Sequence, residues 1–80
     1  MGKLKFEVFL HEKDVTKVYK QLQELTPSWR WDHISIGWCG WANADDCWWL
    51  RTKLKPKEIK ALVDWIFEEG IRTYDPIKIK

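Results

Sequence analysis

Residues 4–25 read LKFEVFLHEKDVTKVYKQLQEL, and the change of period inside this stretch decides the fold. Leu4, Phe6, Val8 and Leu10 alternate with Lys5, Glu7, Phe9 and His11, which is the period of two of a strand with one face on a core. From Val15 the apolar positions become Val15, Val18, Tyr19, Leu22 and Leu25. Spacings of three and four put them on one stripe of a helix. Asp14 is the expected cap, and Thr26-Pro27 the stop, because proline disfavours helical geometry in the residue before it.

Working outward, residues 28–54 read as strand, turn, strand. Ile34, Ile36 and Trp38 point one way and Trp31, His33 and Ser35 the other, and residues 40–46 (GWANADD) have the composition of a turn. The strand returning from Cys47 places Trp48, Leu50, Thr52 and Leu54 on one face and Trp49, Arg51 and Lys53 on the opposite one. A second helix opens at Pro56, carries the stripe Ile59, Leu62, Val63, Ile66, Phe67, and closes at Gly70. Residues 71–80 read as an edge strand with Ile71, Thr73, Ile77 and Ile79 inward, where Pro76 is tolerated. The order β-α-β-β-α-β predicts an α+β, ferredoxin-like domain: a four-stranded antiparallel sheet with two helices on one face.

Eighty residues make a single domain, 1–80, with one thin core. Against that size stand seven tryptophans, three phenylalanines and two tyrosines. A core this small cannot hold them all, so large aromatics must reach the surface, where they mark contact sites. The net charge of +2, from 14 basic and 12 acidic residues, is too small to specify a polyanionic partner by itself. No signal-peptide pattern and no membrane-spanning apolar run is present, so a cytoplasmic protein without membrane contact is expected.

The sheet face without helices is predicted to show Phe9 and His11; Trp31, His33 and Ser35; Trp49, Arg51 and Lys53; and Arg72, Tyr74 and Lys78, with Lys5 alongside. Five basic residues (Lys5, Arg51, Lys53, Arg72, Lys78) meet one acid, Glu7, among four aromatic rings. Such a face is similar to the way RNA-recognition-motif domains use their central strands, with Phe9 and Trp49 in the stacking places. That resemblance implies single-stranded RNA binding by Phe9, Trp49, Arg51, Lys53, Arg72 and Tyr74. The glycine-aromatic signature of that family's third strand is replaced here by Cys47-Trp48-Trp49-Leu50-Arg51. An aromatic face edged with Arg and Lys equally describes a protein-partner or homodimer interface.

The hairpin between Gly37 and Trp49 pairs rigid indoles with an acidic tip, Asp45-Asp46. Trp41, Asp45, Asp46, Trp49 and Trp31 are the expected partner-binding residues, the acids favouring a basic cleft such as the groove of a nucleic-acid-processing enzyme. The leading expectation is a non-catalytic protein-binding regulator or inhibitor. In size and style the chain is similar to small phage-encoded antagonists of bacterial enzymes. RNA binding is the alternative.

Chemistry beyond binding finds little support. Cys39 and Cys47 stand at the two bases of one turn, where they could lie opposite one another and pair, although the absence of a secretion signal favours free thiols. Their spacing relative to Asp45, Asp46 and His33 matches no zinc pattern, so no metal is expected. His33-Ile34-Ser35 is similar to the His-x-Ser/Thr motif of two-histidine phosphoesterases, but His11 is followed by Glu12-Lys13, so the second copy is missing. Neither a glycine-rich phosphate loop nor a nucleophile elbow is present, and neither an enzyme nor a cofactor is expected.

Overall fold

The computed structural model describes residues 2–26, 34–41 and 43–80. Its elements are β1 (Leu4–His11), α1 (Glu12–Leu25), β2 (Ser35–Trp38), β3 (Cys47–Leu54), α2 (Pro56–Glu68) and β4 (Lys78–Ile79). The strands form one antiparallel sheet in the order β2-β3-β1-β4, which is the ferredoxin-like arrangement predicted from the sequence. β1 lies between β3 and β4 and pairs with β3 over its whole length, from Leu4 opposite Leu54 to His11 opposite Cys47.

The alternation in β1 sends Phe6, Val8 and Leu10 to the helix side, where all three are fully buried. Leu50 and Leu54 of β3, Val18 and Leu22 of α1, and Ile59, Leu62 and Ile66 of α2 complete this core. Each such large side chain contributes about 1.5–3 kcal/mol by leaving water.

Four sequence expectations need correction. First, α1 begins at Glu12 with no intervening loop, so His11, in extended geometry, occupies the capping position and Asp14 lies within the first turn. Glu12 and Asp14 still favour the helix there, since carboxylates complement the positive end of its dipole. Second, Phe67 is 74% exposed and does not belong to the buried stripe of α2. Ile59, Leu62 and Ile66 centre that stripe, and Phe67 lies roughly 100° around the helix from its middle. Trp65, on the other flank, packs against the core.

Third, the final strand is much shorter than residues 71–80. Thr73 bridges Leu10, but the regular ladder is limited to Ile79 opposite Phe6 and Lys78 opposite Glu7. Five steps along the edge segment, 73 to 78, therefore match three along β1, 10 to 7. The surplus forms a bulge holding Pro76, which has no N–H to give to a ladder. Fourth, Phe9 faces away from the helices as expected, yet it is only 8% exposed, because the loop between β2 and β3 covers it. Trp31 and His33 lie outside the described residues.

The stop signals act as read. Thr26 donates its hydroxyl and its N–H to the Leu22 carbonyl, at 2.7 and 3.1 Å. At the end of α2, Gly70 adopts φ +66°, while Gly70 N–H bonds Phe67 O and Ile71 N–H bonds Ile66 O. That pair of bonds is the Schellman closure, which needs the left-handed conformation glycine adopts at low cost. No helix of the described residues is long and apolar enough to cross a membrane.

Candidate functional site

Strand register sorts the open sheet face into rows. Lys5 lies opposite Lys53 on β3, and on its other side exchanges two backbone hydrogen bonds with Lys80, at 2.9 and 3.2 Å. Three lysines therefore stand side by side across three adjacent segments. In the next row Lys78, Glu7, Arg51 and Ser35 are neighbours. Like charges directly opposite each other destabilise a sheet, so a row of three lysines is held there against its own repulsion.

Glu7 moderates the second row only. Its carboxylate accepts a hydrogen bond from Arg51 Nε and lies 3.9 Å from Lys78 Nζ. The cations also lean on rings: the Arg51 guanidinium lies 4.3 Å from the centre of Trp49, and Lys78 Nζ 5.3 Å from the centre of Phe9. Trp49 can lie flat here because its cross-strand neighbour is Gly37, which has no side chain to displace it. These rows floor an open depression of about 820 Å³, lined by Lys3, Lys5, Arg51, Lys53, Lys78 and Lys80, with Glu7 the acidic member of the lining. The result is a basic basin.

The other end of the same face is closed. Trp41 stacks on Phe9 with ring centres 5.2 Å apart and planes 29° from parallel, and meets Tyr74 edge-on at 6.2 Å. Ala44, Cys47 and Cys39 fill the space beneath this lid. Tight turns shape the loop: Gly40 takes φ +72°, Ala44 N–H bonds Trp41 O, and Cys47 N–H bonds Ala44 O.

Asp46 ties the lid down. Its carboxylate accepts the Tyr74 hydroxyl and lies 3.1 Å from His11 Nδ1, and the His11 and Tyr74 rings are 4.2 Å apart. The Tyr74 hydrogen bond, followed by the His11 bond, holds the Asp46 carboxyl below its ordinary 3.8. By the same bond the Tyr74 phenol rises from 10.0 to about 12. Burial, and then the hydrogen bond to Cys39, pushes the Cys47 thiol from 9.0 to about 12.

The structure thus divides the residues singled out from sequence. Phe9, Trp49, Arg51, Lys53 and Tyr74 share one face as expected, but Phe9 lies under Trp41 and offers no open ring for a base. Trp41 faces inward onto Phe9 instead of projecting, and Asp46 is held by Tyr74 and His11. Asp45 remains exposed at the tip, its carbonyl accepting the Trp38 indole N–H at 2.7 Å. Arg72 is exposed but does not line the basin. Trp31 lies outside the described residues. Sequence reasoning missed Lys3 and Lys80 as members of the basin. Their signal was present: Lys3 continues the alternation of Lys5, and Lys80 that of Lys78.

No family model matches this chain, and no curated protein matches it in sequence. Among solved structures it is similar to CPII, a nitrogen regulatory PII-like protein from Thiomonas intermedia K12, solved bound to ADP, AMP and bicarbonate. The TM-score is 0.72, the identity 10%, and the match covers 100% of this chain and 89% of that one, a likeness that shows the shared ferredoxin-like fold.

Proposed function

We propose that this chain is a non-catalytic regulatory binding protein whose basic basin docks on an acidic surface of a larger protein. The observation that carries this reading is the unbalanced row Lys80, Lys5, Lys53 beside Arg51 stacked on Trp49. Clustered cations lower the free energy of an opposing anionic surface, and an Arg–Trp pair is the kind of anchor on which interfaces concentrate their affinity. A regulatory role is in keeping with the similar protein, described as a nitrogen regulatory PII-like protein. Because cations line the basin and Asp46 is already engaged by Tyr74 and His11, the charge of this surface selects against the basic groove of a nucleic-acid-processing enzyme. Inhibition would be of a partner with an acidic face. Self-association would use Phe67 and Ile79, the exposed apolar residues of the α2–β4 edge, since two basins face to face would oppose like charges.

The test compares the wild-type chain with the double variant Lys5→Glu, Lys53→Glu, both immobilised and exposed to lysate with and without ribonuclease treatment. A captured protein is then purified and its affinity measured at rising salt. The reading expects capture by the wild type, loss of at least tenfold in affinity for the variant, and weakening with salt. Equal capture by both chains overturns it. Retention that ribonuclease abolishes overturns it in favour of RNA.

A second reading has its own support, namely the basin's volume of about 820 Å³ together with the ADP and AMP held by the similar protein. That size suits a small phosphate-bearing anion, so the chain would be a ligand sensor. Calorimetric titration with ADP separates the two readings: saturable one-site binding, lost in the double variant, supports the sensor.

A further inference from the structure

We propose that Cys39 and Cys47 form a thiol–disulfide exchange site, oxidised by a disulfide of the glutathione class, and that the resulting bond clamps the Trp41 lid over the sheet. The two sulfurs are 2.8 Å apart, and a disulfide needs about 2.0 Å, so closure requires a movement of less than about 1 Å. The backbone is already in register for it, since Cys39 N–H bonds Cys47 O at 3.0 Å at the end of the β2–β3 ladder. Neither thiol serves the basic basin, which lies at the opposite end of the face.

Accessibility assigns the order of events. Cys47 is fully buried, whereas Cys39 is partly exposed and is the sulfur an external reagent can reach. The Cys39 thiolate attacks one sulfur of the external disulfide, forming a mixed disulfide and expelling one thiolate. Cys47 then gives up its proton to solvent and attacks the Cys39 sulfur, forming the Cys39–Cys47 bond and releasing the second thiolate. The chain loses two electrons and two protons, and the external disulfide is reduced to two thiols. Burial, the main cause that raises the Cys47 thiol, persists in the mixed disulfide and makes the second step the slow one.

The consequence lies in the loop. Residues 40–46 carry Trp41, Ala44 and Asp46, all three engaged in covering Phe9 or holding Tyr74. Joining the two bases of that loop removes conformations in which the lid is lifted, so oxidation fixes the aromatic end of the face shut.

The chain is equilibrated with reduced and oxidised glutathione over a range of ratios and followed by mass spectrometry and thermal unfolding. The expected result is a monomer lighter by about two mass units, with Tm raised by about 5–15 °C. Cys39→Ser shows neither change. Cys47→Ala, with the resolving thiol gone, accumulates a glutathione adduct on Cys39. A wild-type chain that stays a dithiol in excess oxidised glutathione, that stops at the adduct, that forms only intermolecular dimers, or whose Tm does not rise on oxidation overturns the proposal. Because the readouts are mass and stability, they are independent of whether the basin binds protein or a small anion.

Discussion

The indole of Trp49 lies across Gly37 so closely that a Cβ at position 37 would come within 2.2 Å of Trp49 Cζ2. Gly37→Ala must therefore push the ring aside, and with it the Arg51 guanidinium that stacks on Trp49. Overpacking of this kind costs about 1–3 kcal/mol. In an 80-residue domain that lowers Tm by roughly 4–20 °C. Calorimetry checks the size of the effect. A Gly37→Ala chain as stable as the wild type would show that the ring can move aside without loss.

Trp41→Ala uncovers Phe9. The variant loses an aromatic stack, its edge contact with Tyr74 and the cover over a buried ring, a loss expected at about 1–3 kcal/mol. Amide exchange should rise first at Ala44 and Cys47, whose N–H groups close the loop turns. The basin lies away from Trp41, so its salt-dependent binding should change little.

Lys53→Glu turns the like-charged cross-strand pair with Lys5 into an opposite-charged one. At low salt the variant should melt about 1–5 °C higher than wild type while losing partner binding, and the difference should shrink as salt is raised. Thermal melts at low and high ionic strength measure both. A destabilised Lys53→Glu chain would mean that the row carries no stored repulsion.

The lid carries its own pH window. Asp46 is held below 3.8 in the folded state, so its contribution is present above that value and is lost as the pH falls through the lowered folded value. Tyr74 moves the other way, from 10.0 to about 12, so its contribution is complete below pH 10 and disappears as the pH rises through about 12. Tyr74→Phe should remove the alkaline loss due to this residue and diminish the acid loss, because it deletes the main bond that lowers Asp46. Tyrosine absorbance titration, with Tm measured at acid and alkaline pH, checks both signs.

Most of the fold was legible along the chain because period and punctuation are local. The alternation in residues 4–10, the stripes through Val18 and Leu22 and through Ile59, Leu62 and Ile66, and the Gly70 stop all act in the structure as their spacing required. The site was legible in part. Strand phase alone put Phe9, Trp49, Arg51 and Lys53 on one side, but phase says only which way a side chain points. It does not say what folds over it.

The sequence by itself determined the element order, the faces taken by the residues of β1 and β3 and the surplus of aromatic surface, since these follow from backbone geometry and size. Only the tertiary structure decided that Trp41 turns inward onto Phe9, that Asp46 is held by Tyr74 and His11, and that Lys80, Lys5 and Lys53 line up in a row. Each of these joins residues distant in sequence through the register of a sheet or the path of a loop. Such contacts depend on how separate segments align, and no periodicity along one segment encodes that alignment.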